Sequence, residues 1–334
     1  MKTPENETSR KNLIRLLLIL IAGTAATSLL FGPVNLSFGE LWAALLAKGD
    51  PVDQIILWQL RLPRTVLALL VGGMLGLAGA VLQGYLRNPL AEPSVLGVSN
   101  AAALGAVIAL YFGLAELNDF LLPLLSIAGG LGALALLFGL AARRDTILSL
   151  ILGGIAIGTL AGAAISLALN LSPNPFAAME ITTWLLGSLE NRSLTHIWIA
   201  LPCILFGAGL LLRTGPALDA LSLGEDCAVS LGVDLRRLRL VIGIGVALGV
   251  GGAVAVSGAI GFIGLIVPHL VRPLTSRNPS AVLLPSFLGG AALLTGADVL
   301  VRLIPSTNEL KLGVVTAFLG IPVFVYQLLR ERRI

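Results

Sequence analysis

The stretch that decides the fold is Leu240–Val271, LVIGIGVALGVGGAVAVSGAIGFIGLIVPHLV. It runs for 32 residues without one Asp, Glu, Lys or Arg. One helix of that length would reach ~48 Å at about 1.5 Å per residue, against a bilayer core of ~30 Å. Ser257-Gly258 lies in its middle, so the stretch reads as two helices, the second short and tilted. Working outward, further apolar runs stand at about 16–31, 65–83, 95–114, 120–142, 147–169, 194–212, 281–300 and 312–329. The expectation is an all-α polytopic membrane protein, one transmembrane domain over 1–334, with ten transmembrane helices.

Charge placement tests the split. The chain carries 22 Lys and Arg. With ten spans and both termini inside, six of them face outward: Lys48, Arg61, Arg64, Arg192, Arg302 and Lys311. The other 16 face the cytoplasm. Leaving Leu240–Val271 as one span inverts everything after it and changes the division to 13 and 9. The excess of basic residues on cytoplasmic loops favours ten spans.

Composition agrees. Hydrophobic residues make up 56% of the 334 and charged residues 12%, where a soluble domain carries ~25% charge. The 39 glycines suit helices that pack through small residues. Cys203 and Cys227 cannot build a disulfide framework, and His196 and His269 are too far apart in sequence to suggest a metal pair. The net charge of +4 is scattered between apolar runs, which reads as membrane topology and not as a nucleic-acid surface. None of the lysines Lys2, Lys11, Lys48 and Lys311 sits in a Gly-Lys-Ser/Thr context, which excludes a P-loop. The glycines from Gly243 to Gly252 lie inside an apolar span and read as helix packing, not as a dinucleotide fingerprint. No catalytic constellation, metal site or cofactor is expected.

Two loops stand out. Residues 170–193 hold Ser172-Pro173-Asn174-Pro175 and then a short amphipathic stretch, Ile181 to Leu189, too short to span and read as an interfacial helix on the outer side. Residues 214–239 form the longest cytoplasmic connection, read as one or two short amphipathic helices outside the membrane. Asp219, Glu225 and Asp226 argue for a protein partner there over an anionic lipid surface. The N-terminal residues 1–12 read as a mobile cytoplasmic tail. Asp298 precedes Arg302 by one helical turn and reads as an i,i+4 pair near the outer helix end. Arg61, Arg64 and Arg302 are outer arginines, suited either to capping and headgroup contact or to receiving carboxylates from a partner in a two-pronged fork.

These residues resemble a known pattern. Arg61-Leu62-Pro63-Arg64-Thr65, Gly79-Ala80-Val81-Leu82-Gln83, Arg87-Asn88-Pro89-Leu90-Ala91-Glu92-Pro93 and Leu96-Gly97-Val98-Ser99 are similar to the permease subunits of the FecCD/BtuC family. So are Leu223-Gly224-Glu225, Leu231-Gly232-Val233, the run Ser257 to His269, and Gly313-Val314-Val315-Thr316-Ala317. The resemblance implies the permease of a type II ABC importer in the inner membrane: two permeases side by side as a homodimer, two separate ATPase subunits, and a periplasmic binding protein. It implies an iron chelate (ferric siderophore or haem) as cargo, with cobalamin as the alternative. An ion-coupled secondary carrier is the rival of another class. By resemblance, Arg61, Arg64 and Arg302 dock the binding protein. Leu223, Gly224, Glu225, Leu231 and Gly232 couple to the ATPase, and Ser166, Leu169 and Asn170 fall in the gate region formed by 147–169 and about 176–189. One departure is Lys311, in Glu309-Leu310-Lys311-Leu312-Gly313, where relatives often have proline.

Overall fold

In the computed structural model the deciding stretch divides where its length requires. Helix α13 spans Leu235–Ser257 and α14 spans Ile263–Val271. Gly258 ends α13 with φ 69°, and a Cβ there would lie 2.2 Å from the Trp184 carbonyl oxygen. Only glycine fits both the conformation and the contact. The non-helical backbone between the helices is satisfied locally, as backbone at membrane depth must be. The Ser257 hydroxyl donates to the carbonyls of Ala253 and Gly258, and the Ser257 carbonyl accepts from the Ser188 N–H at 2.8 Å.

The structure describes residues 4–141, 147–276, 278–304 and 309–331. Arg143, Arg144 and Arg277, counted above as cytoplasmic, lie outside them, as do Lys2, Arg332 and Arg333. In chain order the other helices are α1 (Pro4–Leu30), α2 (Phe38–Leu45), α3 (Pro51–Ile55), α4 (Leu62–Tyr85), α5 (Val98–Tyr111), α6 (Leu114–Leu117), α7 (Leu121–Ala141), α8 (Ile147–Asn170), α9 (Pro175–Leu185), α10 (Leu194–Leu212), α11 (Gly215–Leu221), α12 (Glu225–Ser230), α15 (Pro279–Leu303) and α16 (Leu312–Glu331). Among the described residues, seven helices are long and apolar enough to cross a membrane. Three shorter apolar helices, α5, α14 and α16, bring the number to ten, at the positions of the ten apolar runs.

Two boundaries and two short helices differ from the sequence reading. Helix α1 starts at Pro4, so the polar stretch before Leu16 is already helical. The amphipathic stretch read at Ile181–Leu189 belongs to a helix that begins at Pro175, next to the start at about 176 that the resemblance implied, and ends at Leu185. Asn174 caps it by accepting from the Ala177 N–H at 2.9 Å, proline takes the first helical position, and Gly187 stops the chain at φ 73°. Helices α2 and α3 were not read at all. The signal for α2 is present as a capping box, with Ser37 and Glu40 exchanging bonds at the N-terminus.

Helix α4 is the axis of the molecule. Every residue from Val71 to Gln83 is buried, and α10, α13, α14 and α15 pack around it. Small residues bring these backbones into contact. A Cβ on Gly76 would meet the Ser286 carbonyl at 2.3 Å, and one on Gly79 would meet the Gly264 carbonyl at 1.8 Å. The glycines of α13 serve the same end, because a Cβ on Gly207 of α10 would stand 2.7 Å from the Gly245 carbonyl. Gln83 fastens the short helix: its amide donates to the carbonyls of Gly264 and Leu265, and its oxygen accepts from Arg272 at 2.8 Å. Peripheral helices leave large apolar side chains outward, such as Ile19, Leu160 and Trp198, as a lipid-facing surface requires.

Candidate functional sites at the two ends of the bundle

One end of the bundle gathers the N-terminus of α4, the C-termini of α1 and α15, and the approach to α16. The three arginines singled out from sequence meet there. Arg61, Arg64 and Arg302 line one cavity of about 290 Å³ together with Glu190, Arg192 and Glu309.

Each guanidinium is engaged within the chain. Arg61 lies at the end of a π-helical turn, Ile56–Arg61, directly before Leu62-Pro63. It donates to the carbonyls of Leu29 at 2.6 Å, Leu30 at 2.8 Å, and Val34. It therefore closes the C-terminus of α1, whose last carbonyls have no helical partner. Arg64 reaches across from α4 to Asp298 of α15, with its Nε 2.9 and 3.0 Å from the two carboxylate oxygens. Its other two nitrogens hold Glu309, in a fork geometry that only arginine provides. Arg302 completes the set with an i,i+4 bridge to Asp298 at 3.1 Å and bonds to the Ser28 carbonyl and hydroxyl of α1. The i,i+4 pair is thus present, but Asp298 is fully buried and shared by two arginines. The sequence reading missed Arg64 as its main partner.

Lys311 pairs with Glu190 at 2.8 Å, joining the start of α16 to the segment after α9. Arg192 is pressed toward a lower pKa by burial, with Glu190 pulling the other way. The cavity wall thus holds four cations, Arg61, Arg64, Arg192 and Arg302, against the carboxylates of Glu190 and Glu309. Asp298 and Lys311 behind them cancel, leaving a local surplus of positive charge on this cavity wall.

The opposite end carries the connection between α10 and α13. It folds as two short helices, α11 and α12. Leu218, Leu221 and Ala228 turn inward and are buried. Leu223 and Leu231 stand out at 67% and 66% exposure, with Val229 beside them at 56%. Gly224 and Gly232 have φ of 121° and 85°, so each supplies a turn that other residues resist. Glu225 opens α12 as an exposed acid in its first turn. Leu231 and Gly232 also line a groove of about 690 Å³ between α10, α11 and the start of α13.

The gate candidates lie on the last turns of α8. Ser166 and Asn170 are exposed one turn apart, and the Ser166 hydroxyl bonds back to the Gly162 carbonyl. Leu169 differs: it packs with α5 and α9 beside Val107, Leu110 and Ile181.

With this geometry established, comparison with known proteins is decisive. The model of the FecCD transport family matches residues 16–330. The chain belongs to the FecCD family. Its relatives include an uncharacterized ABC transporter permease protein, YvrB, of Bacillus subtilis, 39% identical over 90% of this chain and 87% of that one. The vitamin B12 import system permease protein BtuC of Klebsiella pneumoniae is 38% identical over 90% of each chain, and that of Vibrio cholerae 40% over 88% of each. A solved structure described as an inward-facing conformation of a metal-chelate type ABC transporter has a TM-score of 0.86 and 35% identity, covering 95% of this chain and 99% of that one. As a FecCD member the protein is a multi-span membrane permease of an ABC importer.

Proposed function

We propose that this FecCD permease carries a metal chelate across the inner membrane, moved by ATPase subunits on separate chains. The observation that carries the reading is the pairing of two unlike ends on one apolar bundle. The arginine-lined end suits a partner bearing carboxylates, and the exposed leucines of the α10–α13 connection suit a partner groove. The first faces the periplasm and the second the cytoplasm, with both termini cytoplasmic. A binding protein delivers cargo to Arg61, Arg64 and Arg302. Leu223, Gly224, Glu225, Leu231 and Gly232 seat on the ATPase. Two copies enclose the path, with Ser166, Leu169 and Asn170 in its gate region.

Two cargo readings stand. An iron chelate, ferric siderophore or haem, is the cargo implied by the family resemblance and fits the solved relative described as a metal-chelate type transporter. Cobalamin draws support from the relatives named as vitamin B12 permeases. The test is ATP-dependent accumulation in vesicles holding the permease, its ATPase and its binding protein. Cyanocobalamin, a ferric siderophore and haem are offered in turn. Accumulation of one of them assigns the cargo. Uptake of none, under conditions where ATP is hydrolysed, contradicts the metal-chelate reading.

A further inference from the structure

Helix α15 begins at Pro279 after Asn278, which supplies no side-chain cap. The cap comes from another element. The Asp219 carboxylate of α11 accepts from the Ser280 N–H at 2.8 Å and from the Ser280 hydroxyl at 2.5 Å. A carboxylate at a helix N-terminus meets unpaired N–H groups and the positive end of the helix dipole. Apolar contact fits the same seat. Leu218 is fully buried, a Cβ on Gly215 would lie 3.0 Å from the Ser280 Cβ, and one on Gly84 of α4 would touch both Pro279 and Leu218.

From this seat α15 runs 25 residues, ~37 Å at about 1.5 Å per residue, to the arginine cluster. Along the way it cannot slide on α4. A Cβ on Gly290 would lie 2.1 Å from the Gly72 carbonyl, and one on Gly76 would lie 2.3 Å from that of Ser286. At the far end Arg64 and Asp298 tie the two helices again.

We propose that Asp219 is a positioning residue that pins the ATPase-facing segment to α15, so that the α4–α15 pair acts as one strut between the ATPase end and the binding-protein end. This rests on the function proposed above. The strut gives each site a physical means of sensing the other. Sites joined by one two-state element must influence each other's affinity reciprocally.

The experiment uses the assembled importer in vesicles. The affinity of its binding protein is measured without nucleotide and with a non-hydrolysable ATP analogue. In the wild type the analogue changes that affinity by a measurable factor. Asp219→Ala reduces the factor about five-fold or more while the nucleotide-free affinity stays within about two-fold, because the outer surface is untouched. Asp219→Asn, which keeps one acceptor for the Ser280 N–H, restores part of the factor. Ser280→Ala, which removes only the hydroxyl bond, gives an intermediate loss and carries the test if the alanine variant at 219 does not assemble. A full nucleotide effect in Asp219→Ala, or in Ser280→Ala where the former fails to assemble, overturns the pin. So does an equal loss of nucleotide-free affinity, which marks a general structural defect. A wild-type importer that shows no binding or no nucleotide effect contradicts the proposed function itself.

Discussion

At the scale of single residues, Asp298 is the most constrained group in the bundle. It is fully buried and faces two guanidinium groups. Replacing it with alanine strands Arg64 and Arg302 and is expected to cost about 3 kcal/mol or more, read as a lower unfolding temperature in detergent. Unchanged stability contradicts the assignment. Glu309 is different, because it is partly exposed and holds the outer face of Arg64. Glu309→Gln frees that face. If Arg64 also receives a partner carboxylate, the binding protein binds the variant about three-fold to ten-fold more tightly at low salt, and the gain fades at high salt. An unchanged affinity restricts Arg64 to holding its own chain together. The sequence showed the Asp298–Arg302 pair because one helical turn separates them. It could not show Arg64, which arrives from 234 residues away. Nor could spacing alone show Arg61 as the cap of α1, since that contact is made 27 to 32 residues distant through a turn.

At the scale of elements, helix length and small residues decide the outcome. The break at Ser257-Gly258 was legible because a bilayer cannot hold the unbroken stretch. The start of α9 was written in Asn174-Pro175, and that of α2 in Ser37 and Glu40, but apolar periodicity in 170–193 and 31–50 is weak and masks both. Packing partners were not legible. Nothing local says that Gly290 must face Gly72. Gly290→Leu is expected to force α4 and α15 apart and lower stability by about 1–3 kcal/mol. Gly23→Leu, where no atom lies within 4 Å of an added Cβ, is the control expected to be neutral. Equal behaviour of the two variants contradicts the packing account. In the α10–α13 connection the alternation of charged and apolar residues showed amphipathic helices, and the burial of Leu218, Leu221 and Ala228 selects which side faces the bundle. Leu223→Asp and Leu231→Asp alter only exposed side chains. Both should leave the unfolding temperature unchanged and abolish co-purification of the ATPase subunit. Retained co-purification moves the coupling surface elsewhere.

At the scale of the whole molecule, the ten apolar helices among the described residues and the FecCD family match describe a membrane permease of an ABC importer, and in the proposed function its energy comes from other chains. The proposed orientation, with both termini in the cytoplasm, is checked by membrane-impermeant labelling of single cysteines in the α2–α3 region and the α11–α12 region. The first should react from outside and the second only after permeabilisation. The opposite pattern inverts the topology. The most direct test of the central claim is uptake by vesicles containing this chain alone, compared with vesicles that also hold its ATPase and binding protein. The account predicts accumulation of the chelate against its gradient only in the complete assembly and only with ATP. Uphill accumulation by the lone chain, driven by an ion gradient, would contradict it.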